Sequence, residues 1–241
     1  MKLRALAIVA AAVAVLLLVA AGPGTRMGLW HFRTGLGLLR WAAWAGIAGV
    51  VAALIALGVT RPRGTGLWML LIALVMSGTA VLLPWRMSQQ ARRVPPIHDI
   101  TTDTQDPPEF VAVLAERAGT ANPAAYGGDS VAVLQRQAYP DIGPLHLDSP
   151  PEVAFARALA TANAMRWRIV AADTAAGRIE ATATTTWFGF RDDVVIRIRP
   201  ENGGSRVDVR SLSRVGRSDL GANAARVRAF LTRLASAGDI R

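Results

Sequence analysis

The sequence predicts an N-terminal anchor of transmembrane helices followed by an α+β domain, whose four-stranded antiparallel sheet carries helices packed on one face, as in helix-grip folds. Two observations predict the anchor. All ten Lys and Arg residues up to Arg93 lie in a stretch without Asp or Glu, since the first acid is Asp99, and three charge-free apolar windows separate these basic residues. A third observation predicts the domain, because beyond residue 94 the hydrophobic period changes from helical to strand-like and back. The predicted boundaries are 1–93 for the membrane anchor and 94–241 for the soluble α+β domain.

The three apolar windows predict three transmembrane helices, at about 5–25, 41–60 and 64–85. Each window holds at least 20 residues, and a hydrocarbon core of ~30 Å needs roughly 20 residues of helix. Indole rings favour the membrane–water boundary, and four tryptophans lie near the ends of the second and third windows: Trp41, Trp44, Trp68 and Trp85.

Two interpretations of the first window are compatible with the sequence. Lys2 and Arg4 precede an apolar run that is long for a signal peptide, which favours an uncleaved span, whereas Val19–Ala21 is a small-residue cleavage motif. The segment 24–40 fits either an interfacial stretch or a basic loop with an aromatic anchor. We interpret His31 within it as an interfacial residue.

The charge distribution argues against nucleic acid as a partner. The net charge of +10 arises in residues 1–93, and the remaining 17 arginines are balanced by 17 acids. A nucleic-acid-binding domain carries its excess positive charge on its folded, water-facing part. The expected partners are therefore the lipid bilayer, a lipid headgroup or another membrane protein.

The soluble part should contain three main helices and a short one. Asp106-Pro-Pro-Glu and Ser149-Pro-Pro-Glu each place a capping side chain before proline, with Glu three positions later. They predict helices at about 107–118, closed by Gly119, and from Ser149 to about Met165. A short element is expected near 131–137, and the last helix should begin at Ser218 or Asp219 with an apolar stripe along one side.

Between the second and last helices, alternation predicts four strands. The first two strands are predicted at Trp167–Ala172 and at residues 178–185. The other two are joined at Asn202-Gly203, a signal for a primed two-residue turn. In that register Ile198 faces Val207, Ile196 faces Val209, and Arg197 faces Asp208 on the opposite side. The flanking helices should then lie together on one face of the sheet.

Several stretches resemble one family, the domain of unknown function 1499. They are Ile97–Thr104 with Asp106-Pro-Pro, Tyr139–Asp141, Trp187–Val195 and Val207–Arg226. The resemblance covers about 94–236, and the motifs Gly-Leu-Trp-His-Phe and Leu-Leu-Arg-Trp resemble the anchor of its bacterial polytopic members. It implies a multi-pass protein of the bacterial inner (cytoplasmic) membrane and brings no activity, cofactor or catalytic residue.

Two rules for membrane orientation give opposite answers for the soluble domain. A signal-like first segment places the domain outside the cytoplasm, whereas six loop arginines on that side favour the reverse. We expect an extracytoplasmic domain, because the first segment usually dominates. The absence of cysteine is compatible with either side.

Two acidic motifs have residue types that can carry chemistry. His98 with Asp99, Asp103 and Asp106 lacks the spacing of a calcium loop and has no second histidine, so a self-bonded loop is preferred to a metal site. Asp192 and Asp193 are strand neighbours that point to opposite faces and cannot act as a pair. We expect Asp193 to join a solvated charge ladder with Glu180, Arg197, Arg199 and Asp208, and Asp192 to bond hydroxyls or an arginine on the helix side.

The candidate ligand site lies where basic residues precede the last helix. Free N–H groups at a helix start bind phosphate or a lipid headgroup, although a structural network of Asp219, Asn223 and Arg226 explains the same pattern. The candidate residues are Asp192, Arg210, Ser213, Arg214, Arg217, Asp219, Asn223 and Arg226.

These residues assemble no catalytic set, since the serines lack a histidine base, and no metal or cofactor is expected. The leading hypothesis is a non-enzymatic envelope module that binds a lipid, an envelope polymer or a membrane partner. The alternative is a membrane-anchored hydrolase acting on a phosphorylated or lipid-linked substrate through Asp192, Arg210 and Arg214.

Overall fold

A computed structural model gives the structure of residues 2–236, which fall into two compact units. The helical unit comprises the chain up to Arg92 together with Thr186–Gly189. The sheet unit comprises Arg93–Thr185 and the chain from Phe190 onward. Three helices form most of the helical unit: α1 (Lys2–Arg26), α2 (Phe32–Thr60) and α3 (Thr65–Arg93). Each is long and apolar enough to cross a membrane, as the three windows predicted.

Small residues at heptad spacing pack the three helices against one another. Such a 3.5-residue period is typical of left-handed helix packing, and small side chains let helices approach closely in lipid. A Cβ added at Gly49 would lie 2.3 Å from Ser77 Oγ, and one added at Gly46 would lie 2.7 Å from Ser77 O. Buried positions at this spacing are Ala7, Ala11, Ala14, Leu18 and Ala21 of α1, Gly35, Leu39, Ala42, Gly46, Gly49, Ala53 and Ala56 of α2, and Leu70, Ala73, Ser77 and Ala80 of α3.

The segment 24–40 is mostly helical. Only residues 27–31 separate α1 from α2. His31 is the N-cap of α2, where its Nδ1 accepts a hydrogen bond from the Arg33 backbone N–H at 3.4 Å. This cap starts α2 well before the charge-free window, so Arg33 and Arg40 lie on the helix rather than on a separate interfacial segment or loop.

Residues 186–189 pack within the helical unit. A Cβ added at Gly22 would lie 2.2 Å from the Trp187 ring, so only glycine leaves room for the indole. Phe188 is buried and lies close to Gly35, and Arg26 donates a hydrogen bond to Thr186 O at 2.6 Å. Both glycines therefore accommodate aromatic rings from this short segment.

The sheet unit is an α+β fold built on a six-stranded antiparallel sheet. Four strands follow one another in sequence: β3 (Arg168–Asp173), β4 (Arg178–Thr184), β5 (Arg191–Glu201) and β6 (Gly204–Ser213). Two short strands, β1 (Asp99–Thr101) and β2 (Leu145–Leu147), lie in tandem along the outer side of β6. The remaining helices are α4 (Asp129–Ala138), α5 (Pro151–Ala164), α6 (Ala222–Ser236) and a 3₁₀ helix (Ala112–Arg117).

The predicted four-stranded sheet is right in its central part and wrong in its extent. The pairs Ile198–Val207, Ile196–Val209 and Arg197–Asp208 form as expected. Asn202 and Gly203 both have positive φ, 49° and 82°, as a type I′ turn requires. The prediction missed β1 and β2 because three-residue strands are too short to show a period of two.

One face of the sheet carries α5 and α6 over the main hydrophobic core. Inward residues of β4, β5 and β6 meet the apolar stripe of α6, including Val227, Phe230 and Leu234. Trp167 stacks on Phe230 with ring centroids 5.4 Å apart. The expectation that both helices share one face is therefore confirmed.

The opposite face is covered, which corrects the predicted solvated charge ladder. Residues 102–128 cross this face, and Glu180, Asp193 and Asp208 are each 0% exposed. A small apolar cluster of Phe110, Val113, Val170, Val195 and Leu212 lies among the charges. Strand alternation places these residues on one face of the sheet, but it does not predict that a loop covers that face.

The expected helix at 107–118 is also wrong. Asp106 is not its N-cap, because its carboxylate accepts from Arg199 at 3.0 Å, and regular structure begins only at Ala112 as a 3₁₀ helix. The carboxylate of Glu180 on β4 accepts from the backbone N–H groups of Val111, Ala112 and Val113 at 3.0–3.1 Å. A side chain from the sheet thus performs the capping role that the sequence pattern assigned to Asp106.

The two edges of the sheet differ. On the β1 side, the buried Gln135 side chain accepts from Thr101 N at 3.0 Å and donates to Thr101 O at 2.6 Å. A single amide therefore satisfies both backbone groups of an edge residue. On the other side, β3 is irregular, with a register shift between Ile169 and Ala171.

Candidate functional site

The eight predicted site residues divide between the two faces of the sheet. Asp192 and Ser213 pair across β5 and β6 on the helix-bearing face and meet Asn223 and Arg226 of α6, with Asp219 just before that helix. Arg210 and Arg214 point to the opposite face, where their partners are Asp99 and Asp193. Arg217 lies in the connection to α6 and is exposed. The eight residues therefore do not form one site.

The helix-side group is a connected polar cluster centred on Arg226. Its guanidinium donates to Asp192 Oδ2 at 2.5 Å, to Ser211 Oγ at 2.9 Å and to Asn223 Oδ1. Ser211 donates in turn to Asn223 Oδ1 at 2.7 Å. Asp192 is thus paired with one arginine, as expected from its place opposite Ser213. Ser211 also belongs to this cluster, although it is not among the predicted site residues.

Asn223 connects this cluster to the segment that follows α3 in the chain. Its side-chain amide donates to His98 O at 3.0 Å and to Ser213 Oγ at 2.9 Å. The Ser213 backbone N–H also donates to His98 O, and the Asp219 N–H donates to Ile97 O. A fourth bond comes from the Ser218 hydroxyl, which donates to Pro95 O at 3.5 Å. We call residues 95–98 with these four donors the linker clamp, because the donors fasten the linker to β6 and to the start of α6.

Asp219 occupies the start of α6 that was predicted to bind an anion. Its carboxylate accepts from the N–H groups of Gly221 at 2.8 Å and Asn223 at 2.6 Å. Burial raises the pKa of Asp219, and these two hydrogen bonds act in the opposite direction. A carboxylate of the protein therefore already fills the position where a phosphate would bind, while the ligand role of the eight residues stays a prediction.

On the opposite face, Asp193 lies at the centre of a buried ion-pair group. Arg117 donates to Asp193 Oδ2 at 2.6 Å, and Arg214 binds both carboxylate oxygens at 2.8 and 2.9 Å. Arg214 also donates to Glu116 Oε2 at 3.1 Å, and Arg168 forms a second ion pair with Glu116. Hydrogen bonds from Arg168 and Arg214 lower the pKa of Glu116, and the bond to Asp193 raises the pKa of Arg214.

Arg210 lies between two aromatic rings on the same face. Its guanidinium forms a bidentate pair with Asp99 at 2.8–2.9 Å and stacks 5.0 Å from the Phe110 centroid and 5.4 Å from that of Tyr126. Burial raises the pKa of Tyr126 to about 12. This arrangement fixes β1 and the covering loop around one buried cation.

A third charged group surrounds Asp208 nearer the β5–β6 turn. Its carboxylate accepts from Arg197, Arg199 and Arg206 at 3.0–3.2 Å. Two acids of the His98–Asp106 motif also belong to this group, since Asp103 pairs with Arg206 and Asp106 with Arg199. Within residues 2–236 no three His, Asp or Glu side chains converge as a metal-binding group.

This geometry determines what the polar residues can do chemically. The sheet separates Asp192 from Arg210 and Arg214, and arginines bind the carboxylates of Asp99, Asp192, Asp193 and Asp208. Each of these carboxylates therefore has an arginine partner within the sheet unit, and the separation across the sheet keeps Asp192 from acting together with Arg210 or Arg214. Sequence reasoning missed Glu116 and Arg117, because no periodicity specifies the position of their short 3₁₀ helix, and it missed Thr182 of β4, whose hydroxyl donates to Asp193 Oδ1 at 2.8 Å.

The comparisons with known proteins identify a family and give no activity. No curated protein matches the chain. Residues 99–234, more than half of the 241-residue chain, match the family model described as "Protein of unknown function (DUF1499)". These residues run from β1 to α6 and include both the helix-side cluster and the buried charged face. The chain therefore belongs to the DUF1499 family, as the resemblance predicted.

Proposed function

We propose that the protein is a non-enzymatic membrane-anchored binding module of the bacterial envelope. Three spans anchor the chain in the inner membrane, and the sheet unit, on the extracytoplasmic side, binds a lipid, an envelope polymer or another membrane protein. The observation that carries the proposal is the linker clamp, in which the predicted site residues Ser213, Asp219 and Asn223 fasten residues 95–98. These residues immediately follow α3, so the domain begins within a few residues of the last span.

The packing of α1 supports an uncleaved first span. Its small residues form one side of the heptad contact with α2, and Gly22 accommodates the Trp187 ring. Cleavage after Ala21 would remove the whole heptad contact with α2 and leave Gly22 at the new N-terminus. An intact N-terminus in the purified protein, measured by intact mass, is the expected result.

The side of the membrane is tested with paired reporters fused after Arg241. We expect activity from the reporter that works only outside the cytoplasm and none from its cytoplasmic counterpart. The opposite pattern would mean that the loop arginines, rather than the first segment, determine the orientation, and it would contradict the extracytoplasmic placement.

Binding is tested by photocrosslinking from the full-length chain in its native membrane. A photoreactive amino acid at Arg217, exposed beside the linker clamp, should give a defined adduct with lipid, polymer or protein. The matched position is Thr174, which is exposed in the β3–β4 turn at the other end of the sheet. Equal labelling from both positions, or labelling from neither, would contradict binding at this end of the domain.

The hydrolase alternative has no support in the geometry, because Asp192 and the two arginines lie on opposite faces of the sheet. Purified full-length protein should therefore leave p-nitrophenyl phosphate and its diester unhydrolysed. Hydrolysis that disappears in a folded Asp192→Asn variant would refute the non-enzymatic proposal.

A further inference from the structure

An apolar groove of about 590 Å³ lies between α2 and α3 in the helical unit. Its walls are almost entirely hydrocarbon, with Ile47, Val50 and Val51 contributed by α2 and Val75, Val81 and Leu82 by α3. Gly78 leaves the groove open, since a Cβ there would meet nothing within 4 Å. The Thr79 hydroxyl in the wall donates to Val75 O at 2.9 Å. The walls therefore suit an apolar occupant.

The length of the groove matches one leaflet of a bilayer. It extends along α3 from Val75 to Trp85, a rise of about 15 Å at 1.5 Å per residue. Half of a hydrocarbon core of ~30 Å is also about 15 Å. Trp85 closes one end of the groove, and an indole ring is typical of the level where headgroups begin.

Two arginines lie at the level of this end. Gly46 of α2 lies beside Val81 of α3, and Gly49 lies beside Ser77. Continuing this antiparallel pairing along both helices brings Arg40 to the level of Arg86, next to Trp85. Both arginines are exposed, and the first 98 residues of the chain contain no acidic residue to neutralise them.

We propose that this groove binds an acyl chain of an anionic glycerophospholipid, whose phosphate pairs with Arg40 and Arg86. The hydrocarbon walls fix the apolar part of the ligand, the length fixes its depth to one leaflet, and the two exposed arginines fix the charge of its headgroup. This site lies within the span region and is independent of the binding proposed for the sheet unit.

The test measures lipid binding to the full-length protein by native mass spectrometry after delipidation in detergent. The probes are phosphatidylglycerol and phosphatidylcholine with identical C16 chains, and phosphatidylglycerol with C6 chains. We expect one tightly bound C16 phosphatidylglycerol per chain, with weaker binding of the zwitterionic lipid and of the short-chain lipid.

Two kinds of variant separate the headgroup from the acyl chain. Arg40→Gln and Arg86→Gln should each weaken phosphatidylglycerol binding about fivefold, which corresponds to roughly 1 kcal/mol per cation near an anionic phosphate, and should leave phosphatidylcholine unchanged. Gly78→Leu fills the groove and should weaken both C16 lipids roughly tenfold, since about two methylenes lose their contact.

Matched controls come from the same helices. Gly58→Leu adds the same side chain at another open glycine on α2, and Arg63→Gln removes a cation from the loop at the other end of the helices. Both should bind as the unchanged protein does. Equal affinity for the two headgroups, or a Gly78→Leu variant that still melts normally and binds lipid normally, would overturn the proposal. A groove-dependent dimer without a lipid adduct would also overturn it and would make the groove a contact between copies.

Discussion

The sharpest test of the covered face is Glu180→Gln, because this buried carboxylate organises the loop above it. Oε1 accepts from Val111 and Ala112, and Oε2 accepts from Val111 and Val113, all at 3.0–3.1 Å. Arg178 Nε lies 3.2 Å from Oε1. Glutamine has the same shape but places a donor NH₂ group where one of the two acceptor oxygens was.

The expected cost follows from these contacts. If the amide oxygen takes the place of Oε1, the Val113 N–H loses its acceptor and faces another donor, which costs about 1–3 kcal/mol for a buried group. The two bonds that remain change from charged to neutral acceptors, which weakens each by about 1 kcal/mol. The total is about 3–5 kcal/mol, and for a domain of this size it lowers the Tm of the sheet unit by about 6–20 °C.

Two measurements on the full-length protein in detergent check this value. Thermal unfolding gives the overall loss of stability, and hydrogen exchange of a peptide covering residues 110–118 reports the loop itself. Exchange there should accelerate strongly, while the helices α1–α3 keep their protection. The control is Glu109→Gln in the same segment, whose exposed side chain should change stability by less than about 0.5 kcal/mol. If Glu180→Gln exchanges and melts like Glu109→Gln, the proposed capping role is refuted.

Three further predictions follow from other parts of the chain. Asn223→Ala should release the linker clamp and accelerate hydrogen exchange at Ile97 and His98, the two clamp residues between 95 and 98 that carry an amide hydrogen, whereas Asn163→Ala, which removes an exposed side chain from α5, should not. Gly46→Val should separate α2 from α3 and increase proteolysis in the loop at residues 61–64, because a Cβ there lies 2.7 Å from Ser77 O, and the open position Gly37→Val serves as control. The lowered pKa of Glu116 predicts stability that is present above its usual value of 4.5 and lost as the pH falls through the lower folded value, so a Tm series from pH 6 to 3 should fall less steeply for Glu116→Gln.

The sequence predicts the elements whose local pattern and tertiary role agree. The four long strands and their register follow from alternation and from Asn202-Gly203, since apolar residues meet apolar ones only in that pairing. The three apolar helices follow from length and charge alone. The spacing of Gly and Ala every three or four residues in α2 also contains the information on how these helices pack, which the prediction of three separate spans leaves out.

Local sequence patterns could not predict that the second face of the sheet is covered. Alternation places Glu180, Asp193 and Asp208 together but does not distinguish a surface facing water from one covered by a loop. The covering segment has almost no regular structure, and contacts distant in sequence, such as Arg117 with Asp193, hold it in place. The predicted site combined residues from both faces for the same reason. Arg210 and Arg214 are close in sequence to Ser213, but their side chains lie on the opposite face of the sheet.

The amide of Gln135 affects whether the sheets of two copies of this protein can pair edge to edge. An open sheet edge is a template for pairing with another chain, which is how β proteins aggregate. Thr101 offers no such template, because Gln135 takes both its N–H and its C=O. At the other edge, the register shift in β3 and the charged side chains of Arg168 and Asp173 interrupt a flat docking surface. A second copy of the chain therefore finds both backbone groups of Thr101 occupied and an irregular strand at β3, so edge-to-edge pairing of two sheets is disfavoured at both places.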